Sequence, residues 1–198
     1  MAYIRFWFFF TIVLGADLAT KAWVVKNSVD LRNTPIVILD WIEGHQSFLE
    51  FTYITNPGAA WSMFSDYPQV LTVLAGVALI SIFVFRNALE LNKAPLQIVF
   101  GLICGGIAGN LSDRIFRKPA EVVDFIDVFI PWISYDYPIF NIADSGIFIG
   151  AIAYLFLGLR DNRRDKSLVE VKYNNLFLFS IIRYLMLVPS FSLLQFGH

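Results

Sequence analysis

The chain has 198 residues, 57% of them hydrophobic and only 16% charged, with a formal net charge of −1. Soluble domains carry about a quarter charged residues, so this composition excludes an ordinary water-exposed surface, and the small net charge offers no field for nucleic acid. A mean hydropathy of +0.62 points the same way. The lone Cys104 excludes an internal disulfide and a thiolate zinc site, and His45 and His198 stand in no metal-ligand spacing. Neither metal nor cofactor is expected.

A helix needs about 20 apolar residues to cross the hydrocarbon. The first such stretch runs over about residues 4–25. Arg5 ahead of an apolar run imitates a secretory signal, but Asp17 and Lys21 lie inside the stretch and no small-x-small cleavage site follows. It therefore reads as an uncleaved helix. Asp17 and Lys21 are four apart, share a helix face, and are most simply an ion pair.

Next come PIVILDWI (35–42) and SFLEFTYIT (47–55), β-branched and aromatic, which predict a hairpin or small sheet over 35–55 lying on the membrane. Asn56-Pro57-Gly58-Ala59-Ala60 closes it as a turn. Further spans are predicted at about 68–86, 95–116 and 139–159. The third ends in Gly105-Gly106-Ile107-Ala108-Gly109-Asn110-Leu111-Ser112-Asp113-Arg114. Its small residues suit close helix packing in a membrane, but packing does not explain Asn110, Asp113 and Arg114 together. An aromatic loop, EVVDFIDVFIPWISYDYP, carries Asp124, and Phe140-Asn141-Ile142-Ala143-Asp144 opens the fourth span. The stretch Leu176–Phe196 is interrupted by Arg183 and Pro189 and reads as part of a tail rather than a fifth span. Residues 1–165 thus form a membrane domain and 166–198 a tail.

Lys and Arg set orientation. Arg5, Arg86, Lys93, Arg160, Arg163, Arg164 and Lys166 fall on one side, and Lys26, Arg32, Arg117 and Lys118 on the other. Both ends of the four-helix core are therefore expected in the cytoplasm, with loops 26–68 and 117–138 facing outward.

An ionisable residue at membrane depth costs about 2.5–3.5 kcal/mol on insertion scales and is a functional candidate by default. Asn56, Arg114, Asp124, Asn141 and Asp144 all fall at the outer boundary in this topology. No G-x-S-x-G elbow, no H-E-x-x-H and no histidine near Cys104 supports serine, metal or cysteine chemistry. Paired aspartates remain, since two carboxylates sharing a site do not both ionise readily. These residues alone leave Asp113 open as a member of the pair. A small transporter would also carry buried acids, but it would more typically show repeated halves, and none is found.

In their order and spacing, Asp17-Leu-Ala-Thr-Lys21, Asn56-Pro-Gly-Ala-Ala60, Gly105-Gly-Ile-Ala-Gly-Asn-Leu-Ser-Asp-Arg114, Val122-Val-Asp-Phe125 and Phe140-Asn-Ile-Ala-Asp144 resemble the bacterial lipoprotein signal peptidase (signal peptidase II) family. The resemblance implies an α-helical integral membrane protein: four transmembrane helices, a small extracytoplasmic β-cradle and an outer loop. It implies an aspartic endopeptidase that cuts diacylglyceryl-modified prolipoproteins before the lipidated cysteine. The catalytic pair would be Asp124 and Asp144. Asn56, Gly106, Asn110, Arg114, Asn141, Asp17, Lys21 and Asp113 would bind substrate or support the site. The expected partners are diacylated prolipoproteins and membrane lipids, with no nucleic acid. The expected state is a monomer crossing the bacterial inner membrane several times, its site toward the outer, periplasmic face. Trp61 stands where the family commonly has Phe, and the tail is longer and more apolar than usual.

Overall fold

The structure is a computed structural model and describes residues 3–40, 47–58 and 67–162. His45, Ala59, Ala60, Trp61, Arg163, Arg164, Lys166 and the tail with its interrupted apolar stretch lie outside those residues.

The helices are α1 (Ile4–Lys26), a short α2 (Ser28–Asn33), α3 (Pro68–Val84), α4 (Ala94–Phe116) and α5 (Ile142–Asn162). Three are long and apolar enough to cross a membrane: α1, α4 and, within α5, Ile142–Arg160. At 17 residues α3 is a shorter apolar helix, about 25 Å long at 1.5 Å per residue. Outward-facing side chains on these helices are apolar: Ile80 is 65% exposed and Phe156 69%. Such faces suit lipid, not water.

The buried centre is α4, against which α1, α3 and α5 pack. Its glycines explain the closeness. A Cβ on Gly101 would come within 2.7 Å of the Phe6 carbonyl oxygen, and one on Gly105 within 2.9 Å of that of Phe10, both on α1. One residue further round, a Cβ on Gly106 would overlap the Ala143 carbonyl oxygen of α5. Backbone thus touches backbone on two faces of one helix, as small residues permit.

Four strands, β1 (Ile36–Leu39), β2 (Leu49–Asn56), β3 (Val122–Ile130) and β4 (Tyr135–Phe140), form one antiparallel sheet in the order β1-β2-β3-β4. The first loop contributes the expected hairpin. The second loop, read only as aromatic, supplies half the sheet. Its pairing with β2, Asn56 opposite Val122 and Ile54 opposite Asp124, joins segments far apart in the chain, which local pattern cannot reveal. The last helix starts at Ile142 rather than about 139, because Tyr135–Phe140 pair with β3. The short α2 was also not expected. It places Leu31 beside Val24, Val123 and Phe125 in a small buried cluster that fastens the sheet to the end of α1.

Candidate active site

Two loops and three helices meet beneath the sheet. Asp124 comes from the buried half of β3 and Asp144 from the first turn of α5. With Asn56, Asn110, Arg114, Val122 and Ile139 they line a cavity with about 10 Å³ of room for water centres, enough for about one water molecule.

The α5 end is built by a reciprocal cap. Asn141 Oδ1 accepts the Asp144 N–H at 2.9 Å, and Asp144 Oδ2 accepts the Asn141 N–H at 3.2 Å. This is the capping-box exchange with an acid at the third helical position, and it locks both side chains. The Asn141 amide nitrogen donates to Asp124 Oδ1 at 2.6 Å and to Asn110 Oδ1 at 3.1 Å. Asn110, on α4, donates its own amide nitrogen to Asp144 Oδ1 at 2.7 Å. Asn56 completes the ring. Its Oδ1 accepts the Gly58 N–H at 3.0 Å, a side-chain turn of the kind Asn favours, which directs its nitrogen to Asp124 Oδ2 at 3.3 Å. Every carboxylate oxygen of Asp124 and Asp144 therefore faces an N–H donor.

Arg114 ties the same turn to α4, donating to the Gly58 carbonyl at 3.2 Å and to the Asn110 carbonyl at 3.4 Å, while its buried Nε has no hydrogen-bond partner among the described residues. Burial, then the neighbouring Asp144, holds the Asp124 carboxyl well above the usual carboxylate range. Asp127, pushed up to about 6 by burial and then by Glu50 directly across the sheet, does not line the cavity.

Asp17 and Lys21 do form the expected ion pair, at 2.9 Å, but they belong to a larger set. Lys21 Nζ also lies 2.8 Å from Asp113 Oδ2 and donates to Asn110 Oδ1 at 2.9 Å. Its approach to Asp17 Oδ2 has ion-pair distance without hydrogen-bond alignment. Asp17 Oδ1 accepts the Ala143 N–H at 2.9 Å, so α1 holds the start of α5 directly. Asp113, left open by the sequence, faces Lys21, Arg117 and the Val123 N–H, and does not line the cavity. Among the described residues, three cations (Lys21, Arg114, Arg117) thus meet four carboxylates (Asp17, Asp113, Asp124, Asp144). One proton shared by Asp124 and Asp144 makes the cluster neutral, which a buried site favours.

Sequence reasoning missed Val122, Ile139 and Tyr137. The first two line the cavity, and the Tyr137 hydroxyl is held above its ordinary range by burial, then by Tyr135 and Asp144. Both Tyr137 and Ile139 lie on β4, so recognising that strand in the aromatic loop was the signal available for them.

Fold and site together define a membrane enzyme: apolar helices around a small polar cavity lined by one buried and one partly buried carboxylate. Two solved structures of bacterial membrane enzymes, determined by the in meso method, share the fold. One, at 2.3 Å resolution, has TM-score 0.65 and 30% identity and covers 81% of this chain and 91% of its own. The other, at 1.9 Å, has TM-score 0.61 and 31% identity and covers 78% and 92%. The lipoprotein signal peptidase of Acaryochloris marina is 36% identical over 161 residues, 80% of this chain and 91% of the relative. That of Clostridium acetobutylicum is 32% identical over 150 residues, 75% and 90%. The family model for signal peptidase (SPase) II matches residues 9–160, and the chain belongs to that family. It is therefore a protease.

Proposed function

We propose that this protein is the aspartic endopeptidase that removes signal peptides from diacylglyceryl-modified prolipoproteins, cutting before the lipidated cysteine, with Asp124 and Asp144 as its catalytic pair. Family membership supports the removal of signal peptides from prolipoproteins. The observation that carries the mechanism is the pair of aspartates on one water-sized cavity, Asp124 buried and Asp144 partly so, each oriented by amides.

One aspartate is ionised and takes a proton from water as the water oxygen attacks the scissile carbonyl. The other is protonated and gives its proton to the carbonyl oxygen. As the tetrahedral intermediate collapses, one of its hydroxyls returns a proton to the second aspartate and re-forms the C=O, the C–N bond breaks, and the amine leaves with the proton held by the first aspartate. Arg114 and the amide of Asn56 are the donors for substrate carbonyls and the developing oxyanion, and the Asn110 amide holds Asp144. Gly106 lets α5 approach α4 closely enough to place Asp144. Asp17, Lys21 and Asp113 brace the three helices behind the pair.

The test is incubation of the purified, folded protein with a diacylated prolipoprotein. Mass analysis is expected to show a new N-terminus at the lipidated cysteine, with the unlipidated precursor left intact. Failure to cleave the lipidated precursor, or equal cleavage of both, sinks the proposal.

We place the protein in the inner membrane with four spans, α3 being the short one, both core termini cytoplasmic and the sheet outside. The outward residues of β1, Ile36–Leu39, and Trp132 with Ile133 beyond β3 are exposed and apolar. They suit the lipid–water boundary, where acyl chains and a peptide strand can reach one site. Single-cysteine labelling in a Cys104→Ala background checks this. Ile133→Cys is expected to react with an impermeant thiol reagent added outside, and Asn87→Cys only after permeabilisation; the reverse pattern inverts the topology.

The match to the family model ends at residue 160. A chain stopped at Lys166 is accordingly expected to insert and cleave at the full-length rate in the same assay. A folded but inactive truncation would give the tail a part in the site.

A further inference from the structure

We infer that Lys21 is a positioning residue for the aspartate pair, acting through the Asn110 side chain to keep Asp144 as the ionised partner and leave the shared proton on Asp124. The inference rests on the aspartic reading proposed above.

The argument begins with the three N–H donors of a lysine ammonium. A purely structural ion bridge between α1 and α4 needs only Asp17 and Asp113. The third neighbour of Nζ, at 2.9 Å, is Asn110 Oδ1. That oxygen also accepts from Asn141 Nδ2. With two donors on its oxygen, the Asn110 amide has one orientation, and its nitrogen must face Asp144 Oδ1, 2.7 Å away. Turned over, it would set its own NH2 group against the Lys21 ammonium and its oxygen against a carboxylate. Lys21 is fully buried, so water does not replace this control.

The two carboxylates then differ. Asp144 accepts one short amide bond at Oδ1 and a backbone N–H at Oδ2, at the N-terminus of α5, where negative charge is favoured. Asp124 accepts bonds of nearly the same lengths as those of Asp144, 2.6 Å at Oδ1 and 3.3 Å at Oδ2, but both come from side-chain amides and it sits on a strand, away from any helix N-terminus. Its Oδ2, held only by the rotatable Asn56 side chain, is where a proton displaces least. The charged and titratable groups around the relay are Asp17 from α1, Asp113, Arg114 and Arg117 from α4, Asp124 from β3, Tyr137 from β4 and Asp144 from α5. Of the cations among them, Lys21 alone bonds the side-chain oxygen of the amide that touches Asp144; Arg114 reaches only its backbone carbonyl.

Lys21→Met alone strands two buried carboxylates and is expected to fold poorly. The test therefore uses two variants that avoid this. Lys21→Met with Asp17→Asn removes one charge of each sign. Asn110→Ala leaves both Lys21 ion pairs intact and removes only the relay. The readout is single-turnover cleavage of a diacylated prolipoprotein against pH, per folded molecule in detergent. Both variants are expected to lose activity by up to about tenfold on the acid side and to move the acid limb of the profile up by about one pH unit, with KM changed less than about threefold. Combining them is expected to add no further shift, because both break one relay. An acid limb unmoved in Asn110→Ala, or shifts that add in the combination, overturns the inference. Asp124→Asn and Asp144→Asn separate this from the underlying reading. If those retain cleavage, the aspartic mechanism fails; if they abolish it while the Lys21 and Asn110 variants keep the wild-type acid limb, only the relay fails.

Discussion

Replacing Asp124 or Asp144 by Asn is expected to reduce single-turnover cleavage by roughly 10⁴-fold or more, the scale seen when one member of a catalytic unit is removed. Each change keeps side-chain volume and most of the hydrogen-bonded ring but removes the exchangeable proton. Substrate binding is expected to survive, because acyl and peptide contacts extend beyond the water-sized cavity. The double variant is expected to be little worse than either single one, since the two groups act as one unit. Rate against pH is expected to be bell-shaped, with two apparent constants that belong to the pair. Low pH protonates the ionised partner and ends base catalysis. High pH removes the shared proton, and it does so above the ordinary carboxylate range because burial and Asp144 raise Asp124. Asp113→Asn is the comparison. Asp113 braces Lys21, Arg117 and the Val123 N–H, so the expected loss is in folded yield rather than in the chemical step of what folds. Near-normal cleavage by either dyad variant would remove the mechanism, and equal abolition by folded Asp113→Asn would reassign the pair.

Gly106→Val is expected to be the most damaging change outside the pair. A Cβ at Gly106 would overlap the Ala143 carbonyl oxygen and lie 2.7 Å from Ile147 Cγ1. The first neighbour is backbone in the opening turn of α5, so it cannot rotate away. Relief requires α4 and α5 to separate, and the Asn110–Asp144 and Asn141–Asn110 bonds cross that junction. Overpacking of this kind costs about 1–3 kcal/mol, and here it also shifts Asp144, one member of the proposed pair. Thermal unfolding in detergent is expected to show a clear drop in Tm, and cleavage by the folded fraction is expected to fall as well. Gly76→Ala on α3 is the control, because nothing lies within 4 Å of its would-be Cβ. A Gly106→Val protein with wild-type Tm and cleavage would show that the close approach is not required.

How much of this was readable from residues alone depends on the range of the interaction. Membrane character, the apolar helices and the β1–β2 hairpin are local properties, carried by hydropathy over about 20 residues and by short β-branched runs. The Asp17–Lys21 pair is local too, being four residues apart on one helix. The site's acids, amides and arginine stood out because polar groups in apolar surroundings are costly. The family resemblance, not their spacing, named Asp124 and Asp144 over Asp113. Tertiary structure decided the rest. It turned Asp113 toward Lys21 and Arg117 and left Asp124 and Asp144 on the cavity. It built half the sheet from a loop, since Asn56 pairs with Val122 from a distant part of the chain. It also joined Lys21 to Asn110, 89 residues away. Such contacts form only where folding brings distant segments into hydrogen-bond range, and each is chosen by the need to satisfy a buried polar group, a need that exists only once the site is closed from water.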